Sequence, residues 1–306
     1  MGLCMQTALI DGDEVAYKIA STYQNKYYVV LKDDKVLWKT KTKEEAVESI
    51  GNRDDLEIEP AVEELDTNGY KDRITKFIDS IISDTNSSNY RLFFSGENNF
   101  RHALATLQPY KGNRDPTLKP VCYSLIRKEC EDRGAEYVDY LEADDLLSAY
   151  NVILPEKTII CSSDKDLRTV SCTNYNITTK KIIEIDQDEA MYNFYYQLLV
   201  GDEVDNIPSP YYLGPVTAKA VLKELYGSSY YFYYEGILPC YEKYLLSVDK
   251  EGNYKTKWYN GQDIHDVLWE VGNLLWMHRT LDKDERWGTP DSYKQMIKLI
   301  GVGDID

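Results

Sequence analysis

Histidine is scarce in this chain of 306 residues: three are present, His102, His265 and His278, too scattered for a histidine metal site or an H-E-x-x-H helix. The six cysteines (Cys4, Cys122, Cys130, Cys161, Cys172, Cys240) contain no C-x-x-C pair. That excludes zinc-ribbon spacing, and a disulfide framework is not expected in so long a chain, so they read as buried thiols. No stretch of eighteen or more apolar residues suggests a membrane span, and Met1 to Ala8 lack the basic and apolar regions of a signal peptide. A cytoplasmic protein is expected. Positive charge is also short, with 35 Lys and Arg against 52 Asp and Glu, a net charge of −17. Phosphate binding normally needs a basic surface, which argues at first against a nucleic-acid partner. The objection weakens because several acids sit in short motifs where they could hold Mg²⁺, and a bound divalent ion reverses the local electrostatics. Seven more acids, from Asp54 to Asp66, read as a solvated surface segment.

What the chain has in quantity is apolar and aromatic residues, 43% and 12%, which argue against disorder. Its length suits one α/β domain with a helical appendage. Apolar Ala8 to Ile10 run into Asp11 and then a helical pattern, a first strand with a carboxylate at its C-terminal end, where ligands bind in open α/β sheets. Tyr27 to Leu31 and Val36 to Thr40 flank Asp33-Asp34 and read as a β-hairpin insertion. Ile74, Phe77, Ile78, Ile81 and Ile82 recur at helical spacing before a strand from Tyr90 to Phe94. A polar helix near Leu118 to Arg133, a strand at Tyr137-Val138, a helix from Ala143 to Val152 and a strand from Thr158 to Cys161 continue the alternation. This order implies a mostly parallel sheet flanked by helices. Beyond about Asp186 the pattern is helical. The 27 tyrosines, clustered at Tyr230, Tyr231, Tyr233 and Tyr234, read as core or interface rather than base-stacking platforms.

The sharpest signal is a set of carboxylates at or just after predicted strand ends: Asp11, Glu142-Ala143-Asp144-Asp145, Asp164-Lys165-Asp166, then Asp202 and Asp205. Any one of them could simply cap a helix through the dipole. All of them together point to cations, because like charges repel unless something gathers them. Hard oxygen ligands suit Mg²⁺ or Mn²⁺, and two such ions ~4 Å apart can activate a water, stabilise a leaving oxygen and clamp a scissile phosphate. A second signal is a basic patch in an acidic chain: Phe100-Arg101-His102, then Tyr110-Lys111-Gly112-Asn113-Arg114, leading into the helix with Lys119, Arg127 and Lys128. Lys111 and Arg114, three apart at a helix start, could contact one phosphate, and Tyr110 could stack on a base. An ordinary solvated loop is the plainer alternative. The third signal is Gly201-Asp202-Glu203-Val204-Asp205-Asn206-Ile207-Pro208 followed by Leu213-Gly214-Pro215-Val216-Thr217-Ala218-Lys219. A glycine turn opening a helix lets backbone amides approach a DNA backbone without reading sequence.

In order, I-D-G, F-R, Y-K-G-N-R, E-A-D-D, S-D-K-D-L, G-D-x-x-D-N-I-P and L-G-P-x-T-A resemble the flap endonuclease superfamily, over about Leu9 to Leu225. The nearest look is to bacteriophage 5′-3′ exonucleases and the 5′-nuclease domain of bacterial DNA polymerase I. The resemblance implies a PIN-like α/β fold with a helical arch and a helix-three-turn-helix module. It implies a nuclease domain over 1–186, with the 27–40 insertion and an arch at 110–133, and a helical region over 187–306 with the DNA-binding module at about 201–225. It assigns Asp11, Glu142 and Asp144 to a first metal and Asp164, Asp166 and Asp205 to a second. Asp145 and Asp202 match acids that contribute directly or through water. Lys111 and Arg114 match arch-base residues that engage the scissile phosphate. Arg101, Tyr110 and Lys119 fall with the DNA contacts, and Gly214, Pro215, Thr217 and Lys219 match a DNA-binding turn where such proteins often hold K⁺. Relatives usually place an aspartate at the end of the strand before F-R, whereas here the chain reads Phe94-Ser95-Gly96-Glu97. Either Ser95 fills the place through its hydroxyl or a water, or Glu97 reaches in from the loop.

The activity so implied is a Mg²⁺-dependent 5′-3′ exonuclease, with flap endonuclease or RNase H-like activity on a duplex, flap or RNA/DNA hybrid bearing a free 5′ end. Its setting would be phage DNA replication or host DNA degradation in an infected bacterial host, as a monomer beside replication proteins. Two rivals stand: a non-catalytic DNA-binding scaffold using only the hairpin turn, and a PIN-type ribonuclease, which would not need the L-G-P module.

Overall fold

The computed structural model describes residues 6–114, 119–154, 157–210, 212–225 and 230–287, with the side chains of 230–235 excepted. Tyr211, the tyrosine cluster's side chains, part of the expected arch (115–118) and the last residues lie outside it. In chain order the elements are β1 (Gln6–Asp11), α1 (Gly12–Ser21), β2 (Gln24–Lys32), β3 (Lys35–Thr40), α2 (Lys43–Ile50), β4 (Glu57–Glu64), α3 (Tyr70–Thr85) and β5 (Asn89–Ser95). Then come α4 (Phe100–Leu104), α5 (Tyr123–Asp132), β6 (Glu136–Val138), α6 (Ala143–Ile153), β7 (Lys157–Cys161), β8 (Cys172–Asn176) and β9 (Lys181–Ile185). Helices α7 (Gln187–Val200), α8 (Pro215–Leu225), α9 (Tyr230–Leu245) and α10 (Ile264–Leu275) follow. The chain divides into two compact units, one of Met1–Gly12, Ser80–Asp115 and Ala135–Asp306, the other of Asp13–Asp79 and Pro116–Gly134.

The first unit is built on a six-stranded sheet of order β6-β5-β1-β7-β8-β9. Neighbours from β6 to β8 pair in parallel, and β9 returns antiparallel to β8. Ala8, Leu9 and Ile10 are fully buried in the middle of this sheet, which is why β1 reads as an unbroken apolar run instead of an alternating one. Helix α6 packs on β1, β5 and β7 through Leu146 and Leu147, within a cluster that includes Leu9, Phe93, Ile160, Leu167 and Met277. A second core joins α7, α8, α9 and α10 around Phe194, Leu198, Leu222, Tyr241 and Val271. Helix α7 buries residues all round, as its weakly amphipathic Y-N-F-Y-Y-Q-L-L run suggests.

In the second unit β3-β2-β4 form an antiparallel sheet, with α2 packed on it. The expected hairpin is there, turned by Asp33 and Asp34, both left-handed (φ 50° and 61°), as a tight hairpin turn needs. The acidic segment expected to be solvated is exposed, but as strand β4, whose glutamates guard a sheet edge. Thr42 and Glu45 close a capping box on α2. The polar helix expected from Leu118 begins instead at Tyr123. Lys119 precedes it, with its ammonium 4.5 Å from the Tyr123 ring centroid.

Candidate active site

The parallel strands β1, β5 and β7 end together, and their C-terminal ends lead to Asp11, Ser95 and the S-D-K-D turn; apart from Lys119 the candidate residues lie in the first unit. Asp11 closes β1 opposite Phe93 of β5 and is 7% exposed. A side chain on Gly12 would meet the Phe93 carbonyl at 2.6 Å, so the glycine of I-D-G is required where the chain leaves the sheet. Ser95 ends β5, and its hydroxyl accepts the Ala143 N–H at 3.0 Å, capping the α6 start that bears Glu142 and Asp144. Glu97 lies exposed on the next loop, its own N–H donating to Asp139 at 3.3 Å. Of the two residues offered for the missing aspartate, Ser95 is the one beside the E-A-D-D turn.

At that turn Glu142 and Asp145 form a capping box, each carboxylate accepting the other residue's backbone N–H. Their environments differ. Asp145 is fully buried and accepts both guanidinium arms of Arg101 (2.6 and 2.8 Å) and the His278 N–H (3.1 Å). Burial alone would raise its carboxyl, but Arg101 outweighs that and holds it at about 2. Glu142 faces Lys111, whose ammonium contacts Oε1, and accepts the Tyr110 hydroxyl at 2.8 Å. Its carboxyl is lowered, burial being overcome by Lys111 and Arg101.

Asp144, Asp164 and Asp166 behave oppositely. Burial and the charges of Asp164, Asp11 and Glu142 push the Asp144 carboxyl well above the usual range, and its Oδ1 is enclosed without a hydrogen-bond partner. Partial loss of water and the Asp205 carboxylate raise Asp164. Desolvation and Asp164 raise Asp166 to about 7, even though Gln197 donates to its Oδ1. The S-D-K-D turn is folded by its own side chains: Ser162 Oγ donates to Asp11 (2.9 Å) and accepts the Asp164 N–H (3.1 Å), while Asp164 Oδ1 accepts the Asp166 N–H (2.8 Å). Across from it Asp202 accepts Lys165 at 2.6 Å, and Asp205 accepts Arg114 and the Tyr110 hydroxyl (2.9 Å), with Lys111 Nζ at 3.7 Å.

Like charges gathered this tightly, with a buried oxygen left unpaired, make an environment suited to divalent cations. As the side chains stand, no three His, Cys, Asp or Glu among the described residues are arranged to ligate one ion. The chain's own Lys111, Arg114 and Lys165 lie against the carboxylates instead.

Four expectations need correction. Arg101, placed with the DNA contacts, has no exposed surface: its Nε and Nη2 donate to the carbonyls of Leu274 (2.9 Å) and Trp276 (2.7 Å). Asp145, a candidate ligand, has both oxygens engaged by Arg101. Tyr110, offered as a base-stacking ring, is 5% exposed in the helical core, and it works through its hydroxyl. Lys111 and Arg114 do share a face, but on a turn with Lys111 left-handed (φ 54°), not at a helix start. Gly214, Pro215, Thr217 and Lys219 open α8, and a β-carbon on Gly214 would meet no non-adjacent atom within 4 Å. Ser162, Lys165 and Gln197 were not anticipated. Lys165 could have been read from S-D-K-D itself; Gln197 is the one buried amide of α7.

No protein-family profile matches the chain. A curated 5′-3′ exonuclease of Buchnera aphidicola subsp. Schizaphis graminum is 30% identical over 149 residues, 44% of this chain and 51% of that protein. The chain thus matches about half the length of this relative. A bacteriophage T5 flap endonuclease, solved as a pseudo-enzyme–product complex with DNA and metal ions, aligns over 87% of this chain and 89% of its own with a TM-score of 0.54 and 12% identity. The T5 5′-exonuclease with zinc ions bound aligns over 88% and 89% with a TM-score of 0.53 and 15% identity. The chain shares the fold of these two T5 structures. Open α/β sheets bind ligands at the C-terminal ends of their parallel strands. Here that edge carries Asp11, Ser95 and the S-D-K-D turn. Among the described residues no helix is long and apolar enough to cross a membrane.

Proposed function

We propose that this chain is a divalent-metal-dependent 5′ nuclease that hydrolyses phosphodiester bonds in DNA bearing a free 5′ end. The carrying observation is the meeting of Asp144, Asp164 and Asp166, all with raised carboxyls, opposite a turn that presents Lys111 and Arg114. The likeness to a 5′-3′ exonuclease and to a flap endonuclease solved with DNA and metal ions supports it. Asp11, Glu142 and Asp144 would hold one ion, and Asp164, Asp166 and Asp205 a second, with Asp202 alongside. Mg²⁺ is the natural occupant of such an oxygen set, and Mn²⁺ an alternative. The pair would supply the positive charge that activates water and stabilises the departing oxygen.

The protein's own part is positioning and charge. Lys111 and Arg114 are aimed at the carboxylates now; with those charges neutralised, their donors turn to the scissile phosphate and counter the charge that grows on it. Tyr110 ties Glu142 to Asp205 and so fixes the spacing of the two carboxylate groups. At the start of α8, where Gly214 carries no side chain to crowd the helix N-terminus, a phosphate of the duplex would bind, with Thr217 and Lys219 as further contacts and K⁺ as a shared partner of phosphate and backbone. Flaps and RNA/DNA hybrids belong to the same substrate class, and replication is the process that makes them, with replication proteins as partners. The cytoplasm of an infected bacterial host is the corresponding setting.

Digestion of 5′-labelled and 3′-labelled duplex, flap, single-stranded DNA and RNA/DNA hybrid, with and without Mg²⁺, tests this. Label should leave from the 5′ end only with metal, and Asp164→Asn or Asp166→Asn should abolish cleavage while DNA binding persists. Full activity in either variant, or cleavage in excess chelator, would remove the metal assignment. Binding without cleavage under every condition would favour a scaffold.

A further inference from the structure

Two asparagines outside the charged machinery join the turn that bears Lys111 and Arg114 to the loop that bears Asp202 and Asp205. We infer that Asn206 and Asn113 are positioning residues that latch this turn in register with the carboxylates; the inference rests on the nuclease reading. Asn206 Nδ2 donates to the Pro109 carbonyl at 2.8 Å, and Asn113 Nδ2 donates to the Glu203 carbonyl at 2.6 Å. Between them the Lys111 N–H donates to the Asp205 carbonyl at 2.8 Å. Each segment therefore reaches the other with a side-chain amide, on either side of a backbone bond.

The geometry explains why a latch is needed. Lys111 sits in the left-handed region (φ 54°), an uncommon conformation for a lysine that persists only where surroundings hold it. Asn206 is left-handed too (φ 57°), where asparagine is tolerated better than most residues. The platform is itself closed: Asp202 and Ile207 exchange backbone hydrogen bonds at 2.9 and 2.7 Å, and Gly201 (φ 68°) lies so close that a side chain there would meet the Ile207 carbonyl at 2.5 Å. A rigid loop thus fixes the backbone from which Lys111 and Arg114 extend. Asn113 is exposed and Asn206 half-buried, so neither amide is part of the core.

Asn206→Gly tolerates the left-handed backbone and removes the amide; Asn113→Ala removes the other without the added backbone freedom of glycine. Each should lower kcat about 10- to 100-fold, as a misplaced catalytic group does, with KM and melting temperature little changed. In a Lys111→Ala/Arg114→Ala background Asn206→Gly should cost almost nothing more, because residues acting through the same groups are not additive. A purely structural role would instead give additive losses, and that result would overturn the latch. A second measurement needs no substrate: amide hydrogen exchange at Lys111 should speed up at least tenfold in Asn206→Gly. Unchanged exchange sinks the inference whether or not the protein cuts DNA, whereas a wild-type protein without nuclease activity but with faster exchange in the variant would count against the nuclease reading alone.

Discussion

Arg101 is the clearest case of a residue whose charge is spent inside the protein. Its guanidinium meets the two oxygens of Asp145 and two carbonyls from the end of α10, and nothing of it reaches solvent. A pair so buried contributes little over an apolar pair of the same shape, but breaking it strands a charge. Arg101→Met should therefore destabilise the protein by about 3–5 kcal/mol in urea unfolding, and pairing it with Asp145→Leu should recover much of that. A loss below about 1 kcal/mol for the single change would be the behaviour of a solvated surface pair and would contradict the geometry. Lys111 differs in kind. It is partly exposed, and its ammonium is raised because Glu142 and Asp205 outweigh its burial, so it stays charged throughout the working range. A cation aimed at charge that develops only in the transition state affects turnover more than binding. Lys111→Ala should lower kcat by roughly 10²- to 10³-fold with KM nearly constant. If KM alone rose, Lys111 would be an ordinary backbone contact.

At the scale of elements, what could be read in the sequence depended on whether the determinants were local. Strands β1, β5 and β7 are apolar runs because both faces are covered, and α6 announces itself with acids in its first turn, so the alternation and the strand-end carboxylates were legible. The K-x-x-R spacing of Lys111 and Arg114 fits one face of a helix and one face of a tight turn equally well, and only the pairing of residue 111 with residue 205 decides for the turn. The fate of Arg101 was illegible because its carbonyl partners lie 173 and 175 residues away. The hairpin β8–β9 carried no strong turn signal, and β4 was masked by its own charge. The end of β5 offers a test at this scale. Ser95 caps α6 beside Glu142 and Asp144, whereas Glu97 is held on an exposed loop by its backbone. Ser95→Asp should add a carboxylate beside the proposed first-ion site and lower the Mg²⁺ concentration needed for half-maximal rate; Glu97→Gln should leave it in place. A Mg²⁺ titration with a large shift for Glu97→Gln and none for Ser95→Asp would reverse the assignment.

For the whole molecule, a net charge of −17 sits awkwardly with a nucleic-acid substrate until its distribution is considered. Part of the excess is β4, an exposed edge strand, and part is the strand-end cluster, where Asp144, Asp164 and Asp166 resist ionisation because burial strips their water and neighbouring carboxylates add repulsion. Near neutral pH the metal-free fold thus carries repulsion that the unfolded chain, with its acids dispersed, does not. Ions that bind the folded cluster and not the unfolded chain stabilise by mass action, about 2.7 kcal/mol at one hundred times the dissociation constant. In a chain of this size each kcal/mol is worth roughly 2–4 °C of melting temperature. Mg²⁺ should therefore raise the melting temperature of the wild-type protein by several degrees at neutral pH. Asp166→Asn should respond in two separable ways: without metal it should melt above the wild type, since one source of repulsion is gone, and with Mg²⁺ it should gain much less. Both signs matter. A variant that melted lower than wild type without metal would mean that Asp166 is held by Gln197 more strongly than it is repelled by its neighbours, and an undiminished response to Mg²⁺ would place the ion elsewhere.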